Sequence, residues 1–331
     1  MIIVMQLNAQ EQQIAAVIER IREAGLKEHV SRGAELVIIG AIGDEDRINQ
    51  AAFEVLPGVE RVSRVTKQYK MVSRATHPSG MQFKVRGVMV GGEQVQVFAG
   101  VHSLASTDNL QALASAAQAA GSRLLWSRIE RAGYSPYEFH TPEFDGLASL
   151  RDVARRNGMP FAAEVSDVQA LDILLAHDVD VIQLGAQSMQ NRALLRELGR
   201  LNKPVILRRG LAAAVTDWLL AAEAIAAGGN HHIVLCEQGS RGVLDVATIS
   251  MVKRETYLPV FVDVSHASAK SWMVPHLALA AVASGADGLM VDVHSSSSSV
   301  ADYGDQSLAL PQFEQVMASL RAALPALGRA I

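Results

Sequence analysis

The chain has 331 residues, 49% of them hydrophobic and 19% charged, with a formal net charge of −4. That length holds one barrel of roughly 250 residues plus a small extra domain, and the slight acidic excess is not that of a nucleic-acid binder. The lone cysteine, Cys236, cannot form an internal disulfide, and no basic leader or apolar run of about 18 residues is present, so a cytoplasmic protein with no membrane partner is expected.

Residues 1–66 read as β-α-β-β-α-β. Ile2–Met5 is a strand, and Ala9–Ala24 a helix with Ile14, Val17, Ile18 and Ile21 on one side, ended by Gly25. His29–Ser31 and Glu35–Ile42 form a hairpin around Arg32 and Gly33. A helix over Asp44–Val55 and a strand over Val59–Val65 complete a ferredoxin-like plan. Its expected roles are effector binding, oligomerisation or plain packing. Residues 67–94 form a connector with a hairpin, Gln82–Val85 and Val88–Val90, of the sort that plugs the N-terminal mouth of some barrels.

From residue 95 a strand-then-helix beat repeats eight times. The strands are Val95–Ala99, Arg123–Trp126, Pro160–Glu164, Val179–Leu184, Pro204–Leu207, His232–Leu235, Pro259–Val264 and Gly288–Val293. Leu110–Ala120, Leu147–Asn157 and Trp272–Ser284 carry helical periodicity between them. Buried strands alternating with amphipathic helices make parallel units, and eight of them predict an α/β fold, a (β/α)8 TIM barrel over 95–331. No glycine-rich dinucleotide or P-loop motif is present.

Barrel chemistry gathers at the C-terminal strand ends. His102, His266 and Asp292 end strands one, seven and eight, which neighbour one another when the barrel closes. With Asp302 or Asp305 from the next loop they suit a divalent metal acting on a carbonyl; equally, they suit a wet rim of polar side chains bonded to one another. Arg131, Arg208 and Arg209 suit either a clamp on an anionic substrate or a charged surface. The serine run Ser295–Ser299 reads as a solvated loop.

In this order the strand ends resemble the 3-deoxy-D-arabino-heptulosonate 7-phosphate (DAHP) synthases, closest to the short microbial type with an N-terminal ferredoxin-like domain. The likeness rests on Val37–Asp44, on Lys67, Tyr69, Ser73 and Arg74, on Ser135, Pro136 and Tyr137, on Ile182–Ala186, Asn202–Gly210, Leu235–Gly239, Val262–His266 and Val291–His294, and on Gln306–Leu308. It spans nearly the whole chain. It implies joining phosphoenolpyruvate to erythrose 4-phosphate with a divalent metal, Mn, Co, Zn or Fe, in aromatic amino acid biosynthesis. It also implies a homo-oligomer, dimer or tetramer, and an allosteric ligand at residues 1–66.

The functional positions depart from that pattern. The family's metal cysteine falls on His102, its histidine on His266, its glutamate on Asp292, and its aspartate on Tyr303, flanked by Asp302 and Asp305. Four arginines that hold substrate fall on Trp126, Gly133, Gln187 and Gln238, and a lysine on Arg208, while Arg131 keeps a cation and Tyr134 and Ser135 follow it. The site residues implied are therefore Arg131, Glu164 and His294 for chemistry, and Arg208, Arg209, Gln187, Gln238, Tyr134 and Ser135 for a carboxylate-bearing substrate. The retained ligands and cations argue for retuning toward a less charged substrate, with aldol-type carbon–carbon chemistry on a 2-oxo acid. The other readings are a working DAHP synthase and a non-catalytic sensor or regulatory subunit.

Overall fold

The structure, a computed structural model, describes residues 1–33, 36–43, 49–64, 67–101, 107–127, 145–239, 242–295 and 305–331.

Four antiparallel strands open the chain: β1 (Ile2–Met5), β2 (Lys27–Arg32), β3 (Val37–Ile42) and β4 (Val59–Ser63), in the order β2-β3-β1-β4. Helix α1 (Glu11–Glu23) lays Ile14, Val17 and Ile21 onto this sheet, where they join Ile3, Ile39 and Phe53 in a core of their own. The second helix is α2 (Ala51–Glu54); the start of the longer helix read from sequence falls partly on 44–48, outside the described residues. This is the ferredoxin-like arrangement.

A short antiparallel hairpin follows, β5 (Phe83–Val85) and β6 (Val88–Val90). Then come the barrel strands: β7 (Gln96–Gly100), β8 (Leu124–Ser127), β9 (Phe161–Val165), β10 (Val181–Leu184), β11 (Val205–Arg208), β12 (Ile233–Glu237), β13 (Val260–Asp263) and β14 (Gly288–His294). Each pairs in parallel with the next, and β14 pairs with both β13 and β7, so these eight strands close. A two-residue strand, β15 (Leu308–Ala309), adds to β14.

The barrel helices are α3 (Thr107–Ala120), α4 (Asp145–Arg156), α5 (Val168–Ala176), α6 (Arg192–Arg200), α7 (Val215–Ala227), α8 (Val246–Glu255), the short α9 (Val264–Ala267), α10 (Val274–Ala283) and α11 (Leu310–Ala323). Several begin where an Asx side chain accepts a first-turn N–H: Asp167 from Ala170, Asn191 from Leu194, Asp245 from Thr248 and Asp263 from His266. The last of these ends β13 one residue earlier than its apolar run predicts, because Asp263 turns the chain into α9.

Alternation along each strand sorts the side chains. Leu124, Ala162, Val181, Ile206, Val234, Phe261 and Met290 point inward and meet Phe83, Val85 and Val90 of the hairpin. Phe83 stacks on His232, at the N-terminal end of β12, with ring centres 4.8 Å apart. The hairpin therefore plugs the N-terminal mouth. Outward residues such as Val205, Leu207 and Leu235 pack under the helices.

The connector is tied down by carboxylates. Glu223 on α7 accepts the backbone N–H groups of Lys70, Met71 and Val72 at 2.8–3.0 Å. Tyr69 donates to Glu255 at 2.7 Å, and burial, aided by that carboxylate, pushes its phenol up to about 12. The ferredoxin-like domain meets the barrel where β2 ends: the Ser31 hydroxyl donates to the carbonyl of Ala226 at 2.6 Å and lies 3.0 Å from His231 Nε2.

Candidate active site

Two residues beyond the inward layer of each strand, the alternation brings polar side chains to the C-terminal mouth. From β7 round to β14 these are Gly100, Trp126, Glu164, Gln183, Arg208, Cys236, Asp263 and Asp292, with Gln238 just past β12 and His294 at the tip of β14.

Arg208 is the hub and is about 1% exposed. Its Nη2 lies 2.6 Å from Asp263 Oδ2, an ion pair by distance whose angles fall outside hydrogen-bond geometry. Nη1 donates to Gln238 Oε1 at 3.1 Å, Nε stands 3.7 Å from Glu164 Oε2, and the guanidinium carbon sits 5.1 Å from the Trp126 ring. Burial works against this charge. Asp263, then Cys236, Glu164 and Asp292 outweigh it, so the pKa of Arg208 moves up.

Glu164 accepts from Gln183 Nε2 at 2.6 Å. The Asp292 backbone N–H donates to Ser265 Oγ at 2.8 Å, which fixes the end of β14 against α9. Gly100 has to be a glycine: a Cβ there would stand 2.5 Å from both Asp292 Oδ1 and Trp126 Nε1. Cys236 is buried with its sulfur 3.7 Å from Met290 Sδ, and burial pushes the thiol up to about 12, so it is no thiolate nucleophile.

One guanidinium thus faces three carboxylates, Glu164, Asp263 and Asp292. Among the described residues the formal balance around Arg208 is negative, which suits a cation there and disfavours a bare anion. Asp292 stands on β14, whereas His266, expected to end strand seven, lies in α9 just past the neighbouring β13, because Asp263 has already turned the chain into that helix. Among the described residues no three of His, Cys, Asp and Glu are grouped to hold one ion. His102, the ligand expected from strand one, lies outside the described residues, as do Arg131, Tyr134, Ser135 and Asp302.

Arg209 is engaged differently from the free clamp pictured from sequence. Its Nε meets Glu237 Oε2 at 2.5 Å and its Nη1 donates to the carbonyl of Ala213 at 3.0 Å. Gln238 Nε2 donates to the Arg209 carbonyl at 3.2 Å, so this glutamine splints both arginines. Both expected clamps thus already touch protein carboxylates. Gln187 sits apart from the hub in a short 3₁₀ turn, Ala186–Ser188, and lines a cavity of about 230 Å³ with Gln190, Gly210 and Asp217. Asp305 is paired with Lys270, and it shares a second cavity with His294.

Sequence reasoning missed Asp263, Gln183 and Trp126 as parts of one network. The signal was there for Asp263, an aspartate ending a buried apolar run. For Gln183 it was only the inward parity of a mid-strand position.

Residues 66–324 match the DAHP synthetase I family, and residues 1–67 the DAHP synthase ferredoxin-like domain. A Thermotoga maritima protein described as phospho-2-dehydro-3-deoxyheptonate aldolase is 34% identical over 99% of each chain. The crystal structure of a Thermotoga maritima protein of that description superposes with a TM-score of 0.76, covering 99% of this chain and 98% of that one. A 2-dehydro-3-deoxyphosphooctonate aldolase of Syntrophotalea carbinolica is 30% identical over 54% of this chain and 69% of its own.

Proposed function

The chain belongs to the DAHP synthase family, and from that membership we propose that it condenses phosphoenolpyruvate with an aldose phosphate, erythrose 4-phosphate in the family pattern. The methylene carbon of phosphoenolpyruvate bonds to the aldehyde carbon, water adds to the enol carbon, and inorganic phosphate leaves. The observation that carries this reading is end-to-end similarity, ferredoxin-like domain included, at 34% identity to a protein described by that activity.

A divalent metal fits the donor set, since among the described residues three carboxylates face one guanidinium, and Asp292 on β14 neighbours the β13–α9 corner that carries His266. His266 and Asp292 would hold it, with His102 and one of Asp302 or Asp305 as the remaining candidates. Bound there, it supplies Lewis acidity toward a carbonyl. The chain's own groups do the rest. Arg208, kept charged by Asp263, borders the reacting carbons, Trp126 shields them from one side, and Glu164 or His294 carries the proton of the attacking water. Arg131 is assigned to the chemistry, and Tyr134 and Ser135 to substrate binding, on the family likeness alone. Homo-oligomerisation and effector binding by residues 1–66 are part of the same reading.

A second reading is favoured by one observation: Arg208 and Arg209 are already engaged by Asp263 and Glu237, while Gln187 and Gln238 are neutral. It is an aldol-type reaction on a 2-oxo acid carrying less charge. Incubation with phosphoenolpyruvate, erythrose 4-phosphate and Mn, Co, Zn or Fe separates them. Phosphate release with a seven-carbon product supports the first, and a carbon–carbon product from a 2-oxo acid without phosphate release supports the second. Neither product with any of these metals sinks both.

A further inference from the structure

Beside the ring, between the loop after β13 and the segment entering α11, lies a cavity of about 420 Å³. Lys270, Trp272, His294, Asp305, Ser307 and Gln312 line it. Three independent features point to an anion. The N-terminus of α11 opens here: Ala309 brings no side-chain acceptor, Pro311 has no N–H, and the first turn carries no acidic residue, so the positive end of a fourteen-residue helix is uncompensated. Gln312 spends its oxygen on the Ala309 N–H at 3.0 Å, leaving its amide nitrogen as a donor.

The second feature is Ser307. It is 4% exposed, and its hydroxyl has no hydrogen-bond partner among the described residues. A buried hydroxyl left unpaired is destabilising, and an entering oxygen relieves it. Third, Lys270 is held at the opening by the Asp305 carboxylate, while the Ser271 N–H donates to the Asp305 carbonyl at 2.7 Å, so the two loops are clasped together around an ammonium. Both side chains of the clasp are more than half exposed, which lets Asp305 swing away. Loops after strands seven and eight, joined by a helix N-terminus, are a recurrent phosphate-binding corner of this barrel type.

We infer that this cavity receives a phosphate monoester, which displaces the Asp305 carboxylate from Lys270 and accepts from Ser307 and the first turn of α11. Its source is the far phosphate of the aldose substrate. That last identification rests on the condensation proposed above; the anion site does not. The two fit together, because the described residues around Arg208 carry carboxylate in excess and the glutamines at 187 and 238 offer no charge, so an anionic tail is better received outside the ring.

The probe is inorganic phosphate, titrated calorimetrically into the full-length protein at low ionic strength. Lys270→Ala is expected to weaken binding at least tenfold. Ser307→Ala is expected to weaken it severalfold while the melting temperature stays level or rises, a combination that a purely structural serine would not give. Asp305→Asn, by removing the competing carboxylate, is expected to tighten binding. Unchanged phosphate affinity in Lys270→Ala, or weaker binding in Asp305→Asn, overturns the site. In turnover assays Lys270→Ala raises KM for erythrose 4-phosphate and leaves that for phosphoenolpyruvate unchanged. Phosphate binding that follows these variants without any condensation rejects the proposed reaction and keeps the site. Condensation with a KM for erythrose 4-phosphate indifferent to Lys270 keeps the reaction and overturns the aldose substrate as the source of the bound phosphate.

Discussion

Arg208 and Asp263 are each about 1% exposed, and Asp263 is the strongest electrostatic partner of Arg208. Removing one side of such a pair strands a buried charge. Asp263→Asn is therefore expected to destabilise the fold by about 3–5 kcal/mol, whereas the double variant Arg208→Met, Asp263→Leu returns most of that loss or exceeds it. Urea denaturation of the three proteins checks this; an Asp263→Asn protein as stable as wild type would show that the pair is solvated. The neighbourhood of Arg208 also marks where sequence reading stops at this scale. That Arg208, Asp263 and Asp292 are strand-end residues is legible, because each terminates a β-branched apolar run. Which of them neutralises which is not, since β11 and β13 lie on either side of β12 in the sheet, and no spacing within the chain encodes the distance between their inward side chains.

At the scale of elements, strand β2 and the turn after α7 meet through a histidine whose protonation state is fixed by its surroundings. Ser31 donates to Ala226, so its oxygen accepts from His231 Nε2–H, and Nδ1 is left unprotonated with no partner among the described residues. Burial, and secondarily His232, lowers the pKa of His231 to about 4. The unfolded chain, with an ordinary imidazole near 6.5, binds a proton that the folded chain refuses. Stability from this group is complete above about pH 6.5 and is lost as pH falls toward 4, by roughly 3 kcal/mol in all. Glu223, pushed up by burial despite its three backbone donors, slopes the opposite way. The contrast with His231→Gln, which keeps a donor for Ser31, therefore isolates the effect. Melting temperatures at pH 7 and pH 5 should fall less in the variant; equal falls would remove His231 from the account. The elements themselves were largely legible, β-α-β-β-α-β and then eight β/α units, because periods of 2 and 3.6 survive in sequence. Their ends were not. Strands β9, β11 and β13 start one residue after Pro160, Pro204 and Pro259, since proline has no N–H for the ladder.

For the whole molecule, the barrel has a stopped floor and a charged, open mouth. Phe83 fills the floor against inward residues from several strands. Phe83→Ala should cost about 3–5 kcal/mol of stability and leave KM for both substrates unchanged, because floor and mouth are separated by the inward apolar layer. A KM shift larger than the change in active fraction would contradict that separation. The closed barrel was readable from eight repeats, and the family from motifs spread along the chain. The balance of charge at the mouth was not readable, because it is a sum over strands far apart in sequence.

The plugged floor has a practical corollary. Lys84 is exposed on the hairpin, at the end away from the reactive face. The single native thiol, Cys236, is fully buried and raised to about 12 by that burial, so it is inert to ordinary maleimides. A Lys84→Cys protein would accordingly carry one reactive handle and could be tethered to a sensor chip floor-down, its mouth and the Lys270 clasp turned to the flowing solution.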